Sequence, residues 1–196
     1  MQATLAQRDH LDELVRDFPT AMLITHGTEG EMRARPMSVA AVEDSGDLWF
    51  STGISSTKAD EMLTDARVAV VMQDASRFVC VSGEAELIVN REKASELWNE
   101  AWRPWFPGGP NDPEFALVHI RSRRAEFWDI SGVGGALYVL NAARHAATGT
   151  RLDDGNAKHH AKVELPRSPT GQAAVAHPAS LVQWMKAFLW HHPKQT

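Results

Sequence analysis

The spacing of apolar residues switches from a helical to a strand period at Phe18. Before it, Leu11, Leu14, Val15 and Phe18 recur at helical spacing with Asp9, Asp12 and Glu13 on the other side, predicting an amphipathic helix over residues 4–18. Pro19 ends that helix, because the residue before a proline disfavours the helical region. The run Ala21–Thr25 reads as a buried strand, with Gly27 and Gly30 in the turn that follows. Arg33–Val42 continues as a strand in which Pro36 implies an edge or a bulge. Ser45-Gly46-Asp47 turns into Leu48–Thr52, and Ser55 or Ser56 can cap a short helix to about Thr64. Val68–Met72 and Phe78–Val89 are the next strands. On the second, Val79, Val81, Ala85, Leu87 and Val89 share one face, and Gly83 marks a bulge. Arg91–Trp102 reads as helix, Arg103–Pro113 as irregular chain broken by proline and glycine, and Phe115–Ile130 as a long strand. Strands joined by short turns predict a mainly β, α+β fold: an antiparallel barrel with peripheral helices, not a parallel sheet.

Beyond residue 165 the pattern changes. Pro166–Pro178 reads as a flexible linker, and Leu181, Trp184, Met185, Phe188 and Leu189 form one apolar helical face. The chain therefore divides into a domain over 1–165 and a tail over 166–196. The tail helix is expected to dock on its own barrel or on a partner subunit, since such a face left in water invites aggregation.

Composition narrows the classes. A length of 196 residues suits one domain with a substantial core. A formal net charge of -5 argues against a general nucleic-acid binder. No apolar run approaches the ~18–20 residues of a membrane span. Met1 to Arg16 lacks the apolar core of a signal peptide, and the single cysteine, Cys80, fits a reducing compartment, so a cytoplasmic protein is expected. Cys80 has no His or Asp partner nearby in sequence and reads as a buried, inert thiol.

Against this acidic background three cations stand close together. Arg33, Arg35 and Lys58 accompany the hydroxyls of Ser51, Thr52, Ser55, Ser56 and Thr57. A phosphate monoester needs fixed cations and short hydroxyl donors, and this segment has both. Arg33 and Arg35 have one parity and so face one side of their strand, which also suits a solvated edge. Lys58 favours the anion, because it begins a helix where the dipole prefers an acidic residue. Trp105-Phe106-Pro107-Gly108-Gly109-Pro110 suits either core packing or an aromatic wall against a planar ligand, and Trp128 is equally open. His159-His160 and His191-His192 are adjacent pairs whose side chains diverge on a strand, so no metal site is expected from them. No dinucleotide-binding glycine fingerprint, Walker loop or nucleophile elbow is present.

Six segments in order carry a family resemblance: Arg35-Pro36-Met37, Trp49-Phe50-Ser51-Thr52, Ser56-Thr57-Lys58, VCVSGEAEL at 79–87, WFPGGPNDP at 105–113 and AEFWD at 125–129. Together they resemble the FMN-binding split-barrel proteins, more narrowly the general stress protein branch of the pyridoxamine 5'-phosphate oxidase-like family. The resemblance spans roughly residues 10–165 and implies a six-stranded antiparallel split β-barrel, a homodimer, and FMN, with FAD as the alternative, at the subunit interface. By position, Arg35 and Lys58 would bind the phosphate with Ser51, Thr52 and Thr57, and Arg33 is an addition from its shared face. Pro36 and Met37 would line the isoalloxazine ring, and Trp128 would approach it from the partner.

The chain departs from the oxidases proper in two places. Asp129-Ile130-Ser131-Gly132 replaces the Arg-x-His-x-Arg run that serves substrate and cofactor, so pyridoxamine 5'-phosphate oxidation is not expected. Thr57 stands where those enzymes have an arginine. The resemblance thus implies a flavoprotein, an FMN-dependent oxidoreductase of an unidentified small substrate. The rival reading is a non-catalytic flavin-binding stress protein, a reservoir or sensor, and a third keeps the fold with a deazaflavin or haem. No residue is assigned as catalytic acid or base.

Overall fold

The fold is that of a computed structural model, which describes residues 4–131, 140, 142–145, 147–149, 160–165 and 173–175. Helix α1 (Leu5–Asp17) begins at Thr4 in a reciprocal cap: the Thr4 hydroxyl accepts from the Gln7 N–H, and the Gln7 side chain accepts from the Thr4 N–H. Its apolar stripe, Leu11, Leu14 and Val15, is buried. There follow β1 (Thr20–His26), β2 (Met32–Glu43), β3 (Leu48–Gly53), α2 (Thr57–Thr64), β4 (Arg67–Gln73), β5 (Arg77–Ile88), α3 (Arg91–Leu97) and β6 (Phe115–Asp129). The strands pair antiparallel in the order β1-β4-β5-β6-β3-β2, and β2 pairs back onto β1. This closes the predicted six-stranded barrel and leaves no edge along the paired lengths.

The period-2 pattern drives one residue in two inward. Leu23, Met37, Val39, Leu48, Phe50, Val70, Val79, Val81, Ile120 and Phe127 fill the interior together with α1. A second apolar cluster of Trp49, Leu97, Trp102, Phe106, Phe115 and Leu117, with Trp98 against it, brings residues of β3 and β6 together with α3 and the loop after it. Trp102 and Phe106 are therefore packing residues, which resolves the proline-rich loop in favour of core; of its aromatic side chains Trp105 is exposed. Helix α3 stops at Leu97, short of the predicted Trp102, because Asn99 is extended and its side chain caps a separate 3-10 turn over Glu100–Trp102.

Two strands were not predicted. β7 (His160–Glu164) pairs with β6 over Arg124–Trp128, on a stretch that β3 leaves at Ile120. β8 (Ala173–Val175) pairs with β2 over Ala41–Glu43, beyond Ser38 where β1 pairing ends. Part of the segment read as linker is thus strand, drawn in because an unpaired stretch of strand offers N–H and C=O groups that need partners. The apolar face at 181–189 lies outside the described residues. No helix among the described residues is long and apolar enough to cross a membrane.

At the predicted bulge the register shifts between Ser82 and Gly83, and the extra residue, Arg123, is on β6. A Cβ on Gly83 would lie 2.4 Å from the Arg121 carbonyl oxygen and 3.0 Å from its carbon, both backbone. Gly83→Ala must therefore push the two strands apart, and we expect it to cost about 1–3 kcal/mol. Thermal melts beside the exposed Ser82→Ala control measure this; equal melting temperatures would mean the bulge yields freely.

Candidate functional site

The cations converge at one end of the barrel. Arg33 and Arg35 share the parity of Met37 and Val39, which are core residues, so both guanidinium groups leave the inner face where β2 runs out past the packed interior. Helix α2 packs on β1 and β5 there, anchored by the buried Met62 and Ala59. It also buries Glu61, only 1% exposed. Arg33 donates Nη1 to Glu61 Oε1 at 2.8 Å, and Arg35 donates Nη2 to Oε2 at 2.5 Å. The Thr25 hydroxyl donates to the same Oε2 at 2.7 Å and accepts from Arg35 Nη1 at 2.6 Å. Burial pushes the Glu61 carboxyl up, but the bonds from Thr25, Arg33 and Arg35 outweigh it and hold it below the usual carboxylate range.

Arg33 is the outermost of the two, with its side chain 47% exposed and Glu31 3.5 Å from its Nε. Three cations thus meet two carboxylates, Glu31 and Glu61, and one positive charge is left over. Lys58 occupies the second position of α2 and is half-buried. It has no ion pair or hydrogen bond among the described residues. Burial and then the Arg35 charge lower its pKa, while Glu61 opposes them. An ammonium held in such a place without a carboxylate is the local signature of an anion site. The helix start agrees with it, since Ser56 makes no side-chain capping bond to the first-turn N–H groups. Its hydroxyl instead lies 3.2 Å from the buried Thr52 Oγ1.

The other predicted residues divide. Thr52 and Thr57 stand by this helix start, Thr52 buried and Thr57 exposed. Ser51 has the opposite parity to Thr52 and shares the face of Trp49, so both hydroxyls cannot point to one ligand. Pro36 is exposed, whereas Met37 is 6% exposed in the core, so a ring laid here would meet Pro36 and only the backbone of Met37.

Trp128 is elsewhere. It is cross-strand from Phe78, stacks on His160 at 4.8 Å and 6°, and lines an apolar cavity of about 480 Å³ with Val71, Cys80 and Ile130. From Pro36 the ladder runs through Met22, Val71 and Cys80 to Glu126, two residues before Trp128. Four strand spacings of about 4.8 Å make this path ~19 Å long over the curved sheet. None of the contacts described for Trp128 is with Arg33, Arg35 or Lys58.

Two functional residues escaped sequence reasoning. Thr25 was read only as strand, and Glu61 only as helix. The signal for Glu61 was its spacing of three from Lys58, next to the apolar Met62, which places an acid on the inward side of α2.

The pyridoxamine 5'-phosphate oxidase-like family profile matches residues 6–153. No curated protein matches the chain. Among solved structures, a protein assigned as general stress protein 26 from a Jannaschia species is 26% identical, with a TM-score of 0.60, covering 83% of this chain and 100% of its own. A general stress FMN/FAD binding protein from Xanthomonas citri is 26% identical, with a TM-score of 0.57, covering 66% of this chain and 92% of that one. A pyridoxamine 5'-phosphate oxidase-related, FMN binding protein from Nostoc punctiforme is 17% identical at a TM-score of 0.51, covering 66% and 84%, and supports the fold alone. The closed six-stranded barrel and the profile match over most of the chain agree: this chain belongs to the pyridoxamine 5'-phosphate oxidase-like family.

Proposed function

We propose that the chain is a cytoplasmic FMN-binding flavoprotein, with FAD as the alternative ligand, and that it works as an oxidoreductase on a small substrate. The observation that carries this is Lys58: a half-buried ammonium at a helix start, pressed by the Arg35 charge and lacking a carboxylate partner among the described residues. A phosphate dianion supplies what that position lacks. The Xanthomonas citri relative, described as an FMN/FAD binding protein, supports the choice of ligand.

In this reading Lys58 and Arg35 bind the phosphate, with the Thr57 hydroxyl and the first-turn N–H groups of α2 beside them. Glu61 and Thr25 orient Arg35 through the bonds described above and keep its guanidinium from turning away. Pro36 and the β2 backbone form a flat wall for the ring. Bound flavin supplies one- and two-electron transfer, and the protein holds and tunes it. Trp128 and its apolar cavity serve a flavin on a second copy, which makes the working unit a homodimer with the ligand at its interface.

The second reading, a non-catalytic flavin-binding stress protein, is favoured by one observation. The residue after Trp128 is Asp129, which bonds His10 Nε2 at 2.8 Å and accepts from the Ser131 N–H at 2.8 Å. The strand therefore ends on a carboxylate and offers no guanidinium to a substrate phosphate.

Both readings expect flavin absorption bands on protein incubated with FMN, and a solution mass near twice the 21.7 kDa chain. Rapid steady-state reduction by NADH or NADPH supports the enzyme, and exchange without turnover supports the reservoir. Protein that stays colourless, or a flavin-loaded monomer, would overturn the reading.

A further inference from the structure

A second cluster lies away from the flavin site, where the β2–β3 hairpin meets β6. Glu43 ends β2, Asp47 follows the turn at Gly46 (φ 83°), and His119 stands on β6 opposite Trp49. One ligand atom from each of the three lies within 4.8 Å of the others. Glu43 and Asp47 are 4% and 2% exposed. Neither carboxylate has a lysine or arginine within ion-pairing distance among the described residues.

The arrangement is pre-set and unfinished. The Trp49 indole N–H donates to Glu43 Oε1 at 2.8 Å, and the Ser122 N–H donates to Asp47 Oδ1 at 2.9 Å. The His119 ring stacks on Trp49 at 4.2 Å and 15°. Each side chain is thus fixed by a neighbour, as the supporting groups of a metal site fix its ligands. Yet the buried Asp47 Oδ2 and His119 Nε2 have no hydrogen-bond partner. They stand 3.4 Å apart. A charge-assisted hydrogen bond between them would close to about 2.8 Å. Two donors of a tetrahedral ion with bonds of about 2.0–2.1 Å stand ~3.3 Å apart.

We propose that Glu43, Asp47 and His119 bind one divalent first-row metal ion, with zinc the best match to one imidazole nitrogen and two carboxylate oxygens. The ion staples the β2–β3 hairpin to β6. Calcium and magnesium prefer all-oxygen sets and fit it less well.

The test uses the full chain stripped with a chelator and titrated with Co2+, whose visible bands report tetrahedral ligation. We expect one equivalent per chain, displaced by Zn2+, with a rise in melting temperature. His119→Gln should weaken binding about a hundredfold or more, beyond the 10–100-fold lost with outer-shell partners. The double variant His191→Gln, His192→Gln should leave it unchanged. The Trp49 indole resonance of the unmutated protein should shift on Co2+ addition, which decides the point even if His119→Gln fails to fold. No Co2+ bands, bands that survive His119→Gln, or a Trp49 signal that does not move would each overturn the proposal and leave a buried Asp47–His119 ion pair.

Discussion

Replacing Glu61 with alanine is expected to lower the melting temperature by about 6–12 °C. Removing one member of a buried ion cluster typically costs about 3–5 kcal/mol, because its partners are left buried and uncompensated. The low end applies here, since the Arg33 side chain is 47% exposed and Arg35 is 23% exposed. About 3 kcal/mol converts to that shift at ~2–4 °C per kcal/mol for a chain of this size. Glu61→Gln adds a pH signature. The folded Glu61 carboxyl lies below its ordinary value, so its ionisation contributes fully above the unfolded pKa of about 4.3. That contribution is lost as pH falls through the lower folded pKa. The gap in melting temperature between the two proteins should therefore be widest at neutral pH and shrink from about pH 4.3 downward. A gap constant across that window would mean that Glu61 is not held as a carboxylate.

The barrel was legible in the sequence because its strands alternate. Leu48 and Phe50 face in, Trp49 faces out, and the same parity on β5 runs unbroken past Gly83 because the extra residue is on β6. β7 and β8 were not legible. They are short: β7 alternates over only five residues, with Ala161 and Val163 inward, and β8 has three, so what orders them is backbone left unpaired on β6 and β2 far away in sequence. The site was legible in its cations and not in its carboxylates. Parity placed Arg33 and Arg35 on one face, but their charge is shared with Glu61, and that pairing forms only when α2 packs on β1 and β5 and brings Glu61 to β2. Likewise Glu43, Asp47 and His119 share no short-range motif. The cluster found spans a hairpin and a strand from the other end of the domain, so no local spacing could announce it.

Lys58 is where stability and binding pull apart, and Lys58→Met is expected to separate them. Burial and the nearby Arg35 charge lower the folded pKa of Lys58, so the empty site holds the charged amine at a cost. The sign follows: a lysine whose folded pKa lies below its unfolded value destabilises the fold wherever it must be charged, which includes neutral pH. Methionine keeps most of the stem packing without the charge, so the apo variant should melt at the same temperature or higher. FMN should bind about ten- to a hundred-fold more weakly, the loss of a charge-assisted hydrogen bond of roughly 1.5–3 kcal/mol. Riboflavin lacks the phosphate and should bind both proteins equally. Arg35→Ala should lose FMN affinity to a similar degree but also lower the melting temperature, because it leaves Glu61 with one guanidinium fewer. Fluorescence titrations with the two flavins, beside melts of the apo proteins, separate these outcomes. Equal losses for riboflavin and FMN would place the phosphate elsewhere, and a destabilised apo Lys58→Met protein would mean that Lys58 holds the fold and not the ligand.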